Sequence, residues 1–182
     1  MKTVCVGDSI TAGQHLAHGW PWYLENAVAK GVCGDTSRLM LERFPLDVQS
    51  QMADVVVIQV GHNDCNRWNT DRGLPRVSAR AYEANLREMI ERTVTFGAAP
   101  ILCSLTPPLA SDDYADDVEF YNDILLLVAF DLGVAVADVR SRFSDQALEP
   151  LLLEDGLHLS DEGHRQYANT VHNALSAILT AF

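Results

Sequence analysis

The sequence predicts an α/β fold with a mainly parallel sheet, and three patterns support this prediction. Short apolar runs recur along the chain, and the clearest, residues 55–58, is apolar at every position, as a strand covered on both faces requires. Segments with helical spacing of apolar residues separate these runs, and glycine or proline marks most boundaries. Strands that alternate with helices imply crossover connections, so we predict four or five mainly parallel strands with helices on both faces.

The chain length and charge limit the classes of protein to consider. A chain of 182 residues can form one domain, residues 1–182, with its own core. Thirteen basic and 25 acidic residues give a net charge of −12, which argues against nucleic acid or an anionic membrane surface as a partner. No apolar run approaches the roughly 20 residues of a membrane span. The sequence leaves open whether the chain forms a homo-oligomer.

The four cysteines point to a reducing compartment. They show neither a CxxC pair nor zinc-ligand spacing, and the runs around Cys5 and Cys103 predict that both are buried. No signal peptide precedes the first predicted strand. We therefore predict a cytoplasmic protein. We also predict no cofactor.

The first predicted strand is residues 4–6, where a short apolar run precedes Gly7. Gly7 lets the backbone turn sharply, and Ser9 follows at the C-terminal end of the strand. In open α/β sheets, ligands bind in the crevice beyond the carboxyl ends of the strands, so the hydroxyl of Ser9 is placed where a substrate can reach it. We predict a loop over residues 11–15.

Two helices are predicted next. Pro21 suits the first turn of a helix, which we predict to run from residue 21 to about residue 30. This leaves room only for a very short strand near Val32. A second helix is predicted over residues 38–44, ended by Pro45.

The rest of the chain continues the alternation of strands and helices. A helical period of 3.6 residues is shown by Tyr82, Leu86 and Met89, and Ser78 can cap their helix. Acidic residues stand at the start of the helix after residue 111, where the helix dipole favours negative charge. The predicted elements are a strand over 54–60, a helix from 78 to 97, a strand over 100–105, a helix from 112 to Gly133, a strand over 134–139, a helix over 141–148, and a last helix from Ser160 with Phe182 inward.

Ser9, Asp155 and His158 are candidates for nucleophilic catalysis. A serine hydroxyl is a weak nucleophile until a base takes its proton and a third group orients the base. Asp155 and His158 lie three residues apart in one predicted loop before the last helix, so the carboxylate can fix the tautomer and tilt of the imidazole. Gly34 and Asn63, with the backbone N–H of Ser9, can supply three donors to a tetrahedral oxyanion.

Four short motifs carry a resemblance to a known family. They occur in the order found in the GDSL esterases and lipases, the SGNH hydrolase family, which this chain therefore resembles between residues 7 and 158. The motifs are Gly7-Asp8-Ser9-Ile10, Gly34 within residues 31–36, Gly61-His62-Asn63-Asp64 and Asp155-Gly156-Leu157-His158.

The resemblance implies a fold and a set of roles. The fold would be a three-layer αβα, flavodoxin-like arrangement with a mainly parallel five-stranded sheet. The activity would be ester hydrolysis without a metal, with Ser9 as nucleophile, His158 as base and Asp155 as its orienting partner. Ser9, Gly34 and Asn63 would form the oxyanion hole. Asp8 and Asp64 are interpreted as structural residues that accept hydrogen bonds from nearby backbone N–H groups.

Residues near Asn63 are candidates for substrate binding. His62 stands where the family often has a small residue or threonine, so we expect it to narrow the pocket. The long loop after Asn63 should overhang the site. There Trp68 can stack on a sugar, cover an acyl chain or pack its own loop, and Arg67 can hold a substrate anion or pair with a surface carboxylate.

The other histidines compete with His158 for the role of base. His164, in the first turn of the last helix, is predicted to face solvent or to pack locally. His15 and His18 follow Ser9 and either line the pocket or lie on the surface.

The leading functional hypothesis is a serine esterase that acts on a small-molecule ester. The polar loop after Asn63 and the lack of an extended apolar lid favour short acyl groups, such as acetyl on a carbohydrate or small alcohol. A lysophospholipase or acyl thioesterase is the nearest alternative, and a non-catalytic flavodoxin-like binding domain is a second. A metal hydrolase has little support because the histidines lack ligand spacing.

Overall fold

A sheet of five parallel strands lies at the centre of the protein, of which a computed structural model describes residues 1–179. The strand order is β2-β1-β3-β4-β5, and every neighbouring pair is parallel. The predicted α/β class and parallel sheet are therefore confirmed, whereas Phe182 lies outside the described residues. The strands are β1 (Thr3–Gly7), β2 (Ala27–Gly31), β3 (Val55–Gln59), β4 (Ala99–Cys103) and β5 (Ala135–Ala137).

Seven α-helices are found in the described part of the chain. The longest ones, which follow β3, β4 and the last loop, begin close to their predicted positions, and Ser78 caps the first of these by accepting a hydrogen bond from the N–H of Ala81. The helices are α1 (Ser9–Ala12), α2 (Ser37–Asp47), α3 (His62–Cys65), α4 (Ala79–Thr95), α5 (Asp112–Leu132), α6 (Val139–Ser144) and α7 (Asp161–Leu179).

Alternate residues of each strand pack into two separate cores, which gives the three-layer arrangement. Val4 and Val6 of β1 pack into the core beneath α2, α4 and α5. Cys5, between them, points to the opposite face and joins the core beneath α6 and α7. A strand covered on both faces must be apolar at consecutive positions, which is why the apolar runs of β1, β3 and β4 are continuous.

The strand order creates a crevice at the carboxyl ends of β1 and β3. The chain passes from β1 to β2 on one side and then crosses to β3 on the other, so the direction of winding changes between β1 and β3. Gly7 and Gln59 are paired in register at the ends of these strands. Gln59 Oε1 accepts hydrogen bonds from the N–H of Asp8 (3.2 Å) and from Thr11 Oγ1 (2.8 Å). The segments that carry Ser9 and Asn63 therefore emerge side by side at the switch point, where such sheets bind ligands.

The helix predicted over residues 21–30 is wrong. A short 3-10 helix, Trp20–Tyr23, occupies its start, and β2 follows where the sequence indicates only a strand near Val32. Pairing along the whole of β1 outweighs the weak helical preference of this half-buried segment, and Asn26 adopts a left-handed conformation (φ 54°) just before the strand.

Two smaller expectations also differ. Pro45 does not end its helix but lies inside α2, where Val48 N–H still reaches the carbonyl of Phe44. Because Pro45 is so near the end of α2, it removes one hydrogen bond from the last turns rather than breaking the helix. The loop predicted after Ser9 begins with the single-turn helix α1.

Two further properties bear on the predicted class of protein. Within residues 1–179, none of the helices is both long and apolar enough to traverse a membrane. All four cysteines are free, and the predicted burial of Cys5 and Cys103 is confirmed, whereas Cys33 is exposed.

Candidate functional site

Ser9, His158 and Asp155 form a continuous hydrogen-bonded chain. Ser9 Oγ lies 2.9 Å from His158 Nε2, and His158 Nδ1 lies 2.7 Å from Asp155 Oδ2. Ser9 and His158 are 149 residues apart in the chain, so only the fold brings them together. The arrangement can transfer a proton from the hydroxyl to the imidazole while a carboxylate holds the ring in one tautomer.

The loop before α7 holds the imidazole and its carboxylate in a fixed relation. Asp155 Oδ1 accepts hydrogen bonds from the backbone N–H groups of Leu157 and His158, both at 2.9 Å, while its Oδ2 faces the ring. Gly156 has φ 70°, and its carbonyl accepts a hydrogen bond from Leu109 N–H at 2.7 Å. A Cβ on Gly156 would lie 2.1 Å from the Leu109 carbonyl oxygen, so only glycine fits here.

The charge of Asp155 is stabilised by these contacts. Partial burial raises its pKa, but the hydrogen bonds from the His158 ring and from the two backbone N–H groups outweigh this and lower the pKa to about 2. The carboxylate therefore stays ionised over the whole neutral range, as the orienting partner of an imidazolium must be.

Ser9 is the first residue of α1, and Asp8 caps that helix. Asp8 Oδ1 accepts a hydrogen bond from Ile10 N–H at 2.9 Å. The N–H of Ser9 belongs to the first turn of the helix, where backbone donors have no partner within the helix. Ser9 is 6% exposed. Burial raises the pKa of Asp8 to about 6, although its hydrogen bonds act in the opposite direction.

Asn63 lies in α3, directly beyond β3, with a defined amide orientation. Its Oδ1 lies 3.3 Å from Arg76 Nη1, and its Nδ2 lies 3.4 Å from Asp8 Oδ2. Arginine can only donate, so the amide atom that faces it must be the acceptor oxygen. The Nδ2 donor is thereby turned towards the segment that carries Ser9.

Gly34 lies in the turn after β2 in a left-handed conformation, with φ 80°. A Cβ at this position would meet nothing within 4 Å, so glycine is needed here for its backbone conformation rather than for space. The carbonyl of Gly34 accepts a hydrogen bond from Arg76 Nη1 at 3.1 Å, so Arg76 contacts both Gly34 and Asn63.

A second link joins the Gly34 turn to the Asn63 segment. Both carboxylate oxygens of Asp64 accept a hydrogen bond from Ser37 N–H at 3.0 Å, and Oδ1 also accepts one from the Ser37 hydroxyl. Burial raises the pKa of Asp64 to about 7 in spite of these hydrogen bonds. The interpretation of Asp8 and Asp64 as acceptors of backbone N–H groups is confirmed.

The three candidate substrate-binding residues have different surroundings. His62 is 3% exposed, and its Nε2 lies 3.2 Å from Thr106 Oγ1, so its ring belongs to the interior. Burial lowers the pKa of His62 to about 3, which keeps it neutral. Arg67 forms an ion pair with Asp117 at 2.5 Å. Trp68 is 48% exposed, and the Arg76 guanidinium lies over its ring, 4.5 Å from the centroid.

The other histidines are placed partly against expectation. His164 is not at the surface: it is 1% exposed, and burial lowers its pKa to about 4. This side of α7 packs against the core through Tyr167 and Val171, which stand three and seven residues after His164, and this helical spacing is the sequence signal for its burial. His18 stacks on Trp22, with ring centroids 3.9 Å apart. His15 is exposed and its ring meets that of His158 edge to face, with centroids 5.1 Å apart.

Arg76 is the site residue whose position sequence reasoning missed. The sequence assigns it to a loop with several arginines, which can hold a substrate anion or pair with surface carboxylates. A bridge between Arg67 and Pro75 folds that loop back on itself and returns Arg76 to Asn63. No local signal marks this return, although the position of the loop directly after Asn63 is a hint.

Comparisons with known proteins identify a family for this chain. A model of the GDSL-like lipase/acylhydrolase family matches residues 5–166. An arylesterase from Vibrio mimicus is 27% identical over 128 residues, which are 63% of this chain and 60% of that protein, so the match spans under two thirds of the relative's length.

Solved structures share the fold over nearly the whole chain. LAE5, an alpha/beta hydrolase enzyme from the metagenome of Lake Arreo in Spain, has a TM-score of 0.81 and 26% identity, with 96% of this chain and 94% of that chain covered. Axe2, an acetylxylan esterase from Geobacillus stearothermophilus, has a TM-score of 0.79 and 21% identity, with 96% and 93% covered, which shows a common fold.

Proposed function

The chain belongs to the GDSL-like lipase/acylhydrolase family and is a hydrolase of ester bonds, and from this premise we propose that Ser9, His158 and Asp155 are its catalytic triad. The observation that carries the proposal is the pair of contacts on the two nitrogens of His158, 2.9 Å to Ser9 Oγ and 2.7 Å to Asp155 Oδ2. Each nitrogen faces the group that a Ser-His-Asp mechanism requires.

The reaction has two acyl-transfer steps. Ser9 Oγ attacks the ester carbonyl carbon while His158 Nε2 takes the hydroxyl proton. The carbonyl oxygen becomes an oxyanion that accepts hydrogen bonds from the N–H groups of Ser9 and Gly34 and from Asn63 Nδ2. The alcohol leaves with the proton from His158, and a water activated by the same imidazole then releases the acid and regenerates Ser9.

A covalent label tests the triad. A serine-directed fluorophosphonate should label the wild-type chain once, and Ser9→Ala should abolish both labelling and ester hydrolysis. Ser160→Ala serves as a matched control because Ser160 is close in sequence to His158, but its hydroxyl bonds to the carbonyl of Pro150 and the N–H of Gly163 rather than to the triad. Undiminished labelling of the Ser9→Ala variant would overturn the assignment, whereas a wild-type chain that is not labelled at all would favour a non-catalytic binding role for this crevice.

The preferred substrate is a short-acyl ester, such as an acetyl ester of a carbohydrate or small alcohol. The side chains that contact the triad and the oxyanion donors are polar: His15, which adjoins His158, and Arg76, which contacts Asn63 and Gly34. Trp68 is 48% exposed, and the face of its ring opposite the Arg76 guanidinium, which lies 4.5 Å from the centroid, offers the flat apolar surface on which a sugar ring can stack.

Acyl-chain length separates this preference from its nearest alternative. With p-nitrophenyl esters of increasing acyl length, we expect kcat/KM to be highest for acetyl or propionyl and to fall for longer chains. A maximum at long acyl chains would reject the preference and would indicate a lysophospholipase or acyl thioesterase. Acetylated sugars should then be compared with simple acetyl esters, with Trp68→Ala expected to weaken only the former.

A further inference from the structure

Three side chains that commonly bind metal ions meet at the outer side of the proposed base. They are His15, Asp155 and His158, and one ligand atom from each lies within 4.8 Å of the other two. His15 Nε2 is 4.0 Å from Asp155 Oδ2, the same oxygen that lies 2.7 Å from His158 Nδ1. His15 and Asp155 are exposed, so an ion can reach the cluster from solvent.

The backbone holds His15 in this place. Gly13 ends α1 with φ 75°, and His15 follows with φ 73°, a left-handed conformation that is uncommon for histidine. The N–H of Gln14 bonds to the carbonyl of Ser9, and that of Leu16 bonds to the carbonyl of Gly13, both at 3.0 Å. These bonds tie the loop that carries His15 to the helix that carries Ser9, so the two imidazoles stay adjacent.

We propose that this cluster binds a divalent transition metal ion, such as Zn²⁺, and that the bound ion inhibits ester hydrolysis. The inference rests on the proposed function, because it requires His158 to be the base. Two imidazole nitrogens and one carboxylate oxygen are a normal set of protein ligands for zinc, with water in the fourth position. This ion is an inhibitor from solution and takes no part in the reaction.

The ligand atoms already lie close to the spacing that zinc needs. Zinc–ligand bonds of about 2.0–2.2 Å in a tetrahedral arrangement place neighbouring ligand atoms roughly 3.3–3.5 Å apart. The observed separations of 2.7 and 4.0 Å lie on either side of this range. Small rotations of His15 and Asp155, which are both exposed, bring the atoms to it. The contact of 3.0 Å between Gln14 Nε2 and His15 Nε2 is then given up.

The ion inhibits by changing the tautomer of His158. Nε2 of this ring faces Ser9, so the ion takes Nδ1, on the side of Asp155 and His15. The proton of Nδ1 must then move to Nε2, where it points at the Ser9 hydroxyl. An Nε2 that carries a proton cannot accept another from Ser9, and the reaction stops at its first step. Mg²⁺, which prefers oxygen ligands, should not have this effect.

Inhibition by buffered metal tests the proposal. Ester hydrolysis is measured at increasing free Zn²⁺, with MgCl₂ in a parallel series, and each variant is normalised to its own rate without metal. We expect reversible inhibition by Zn²⁺ alone, relieved by EDTA. In His15→Asn, half-inhibition should need at least about tenfold more Zn²⁺, because one ligand is lost. Asparagine is chosen because it adopts the left-handed backbone readily.

Two comparisons make the outcome decisive. His172→Asn replaces an exposed histidine of α7 and should be inhibited like the wild type. Equal inhibition of wild type and His15→Asn, no inhibition of the wild type by Zn²⁺, or loss of the basal activity on adding EDTA alone would each overturn the proposal.

Calorimetry separates this inference from the proposed function. Zn²⁺ is titrated into Ser9→Ala, which cannot react, and binding of one ion per chain is expected there. The same titration into the Ser9→Ala, His15→Asn double variant should show binding at least about tenfold weaker. If the triad assignment is wrong, Ser9→Ala keeps its activity. The calorimetric comparison does not depend on activity, so it still shows whether the cluster binds a metal ion.

Discussion

The guanidinium group of Arg76 donates a hydrogen bond from Nη1 to the carbonyl oxygen of Gly34, over 3.1 Å. The same nitrogen lies 3.3 Å from Asn63 Oδ1. Gly34 follows β2 and Asn63 follows β3, so one side chain connects two loops that are each proposed to supply an oxyanion donor. The Arg76 guanidinium also lies over the ring of Trp68, 4.5 Å from the ring centroid.

Removing Arg76 should therefore slow the reaction without a matching loss of substrate binding. In Arg76→Ala we expect kcat to fall by up to about 10²-fold, because a small displacement of either donor weakens contacts to the transition state. KM should change much less. Arg76→Lys, which keeps a donor, should recover part of kcat, and Arg80→Ala, which removes a nearby positive charge, should be unaffected. A change in KM alone would contradict a positioning role.

Asn63 should be needed for turnover and not for folding. Loss of one oxyanion donor typically lowers kcat by about 10²–10³-fold, and we expect this of Asn63→Ala. Its circular dichroism and unfolding midpoint should stay close to those of the wild type. Asn69→Ala, at an exposed asparagine in the segment that follows α3, is the matched control. Turnover of Asn63→Ala near the wild-type rate would remove Asn63 from the oxyanion hole.

Asp155→Asn should impair catalysis by stabilising the wrong tautomer of His158. The Asn amide oxygen can still accept the backbone N–H groups of Leu157 and His158, so the loop is kept, but its N–H₂ then faces Nδ1 of the ring. We expect kcat to fall by about 10²–10⁴-fold. The neighbouring exposed carboxylate provides the control, Glu154→Gln, which should behave as the wild type in the same steady-state assay.

His62 should make the protein less stable in acid. Burial lowers its folded-state pKa to about 3, below its ordinary value of about 6.5. Between these values the unfolded chain binds a proton that the folded chain does not, so the stability due to a neutral His62 is present above about pH 6.5 and is lost as the pH falls towards 3. His62→Gln, which can keep the bond to Thr106, should lose less stability over this range.

Urea unfolding at pH 7 and pH 4.5 measures this difference. Asp8 and Asp64 have raised pKa values, so they stabilise the folded state in acid, which is opposite to the effect of His62. Both residues are present in the wild type and in His62→Gln, so their contributions largely cancel when the two proteins are compared. Parallel loss of stability in wild type and His62→Gln would show that His62 is not neutral and buried as described.

Local patterns predicted the parts of the fold that a single segment encodes. β1, β3 and β4 are short continuous apolar runs because both of their faces are covered, and α4 and α5 show the helical period of their inward residues. β2 was missed because it is an edge strand, half-buried and rich in alanine, whose conformation depends on β1 as its partner. Burial of His164 was missed although a local signal was present, because its spacing to Tyr167 and Val171 puts it on the inward face of α7.

The sequence by itself determined the α/β class, the family and the identities of the residues at the strand ends, because these depend on side-chain types and short spacings. Only the tertiary structure decided that His158 reaches Ser9, that Arg76 returns to Gly34 and Asn63, and that His15 lies beside Asp155. The physical reason is that each of these contacts joins two loops. The sheet fixes where each loop begins and ends, but hydrogen bonds between distant parts of the chain fix the path of the loop between those points. No window of sequence contains both partners of such bonds.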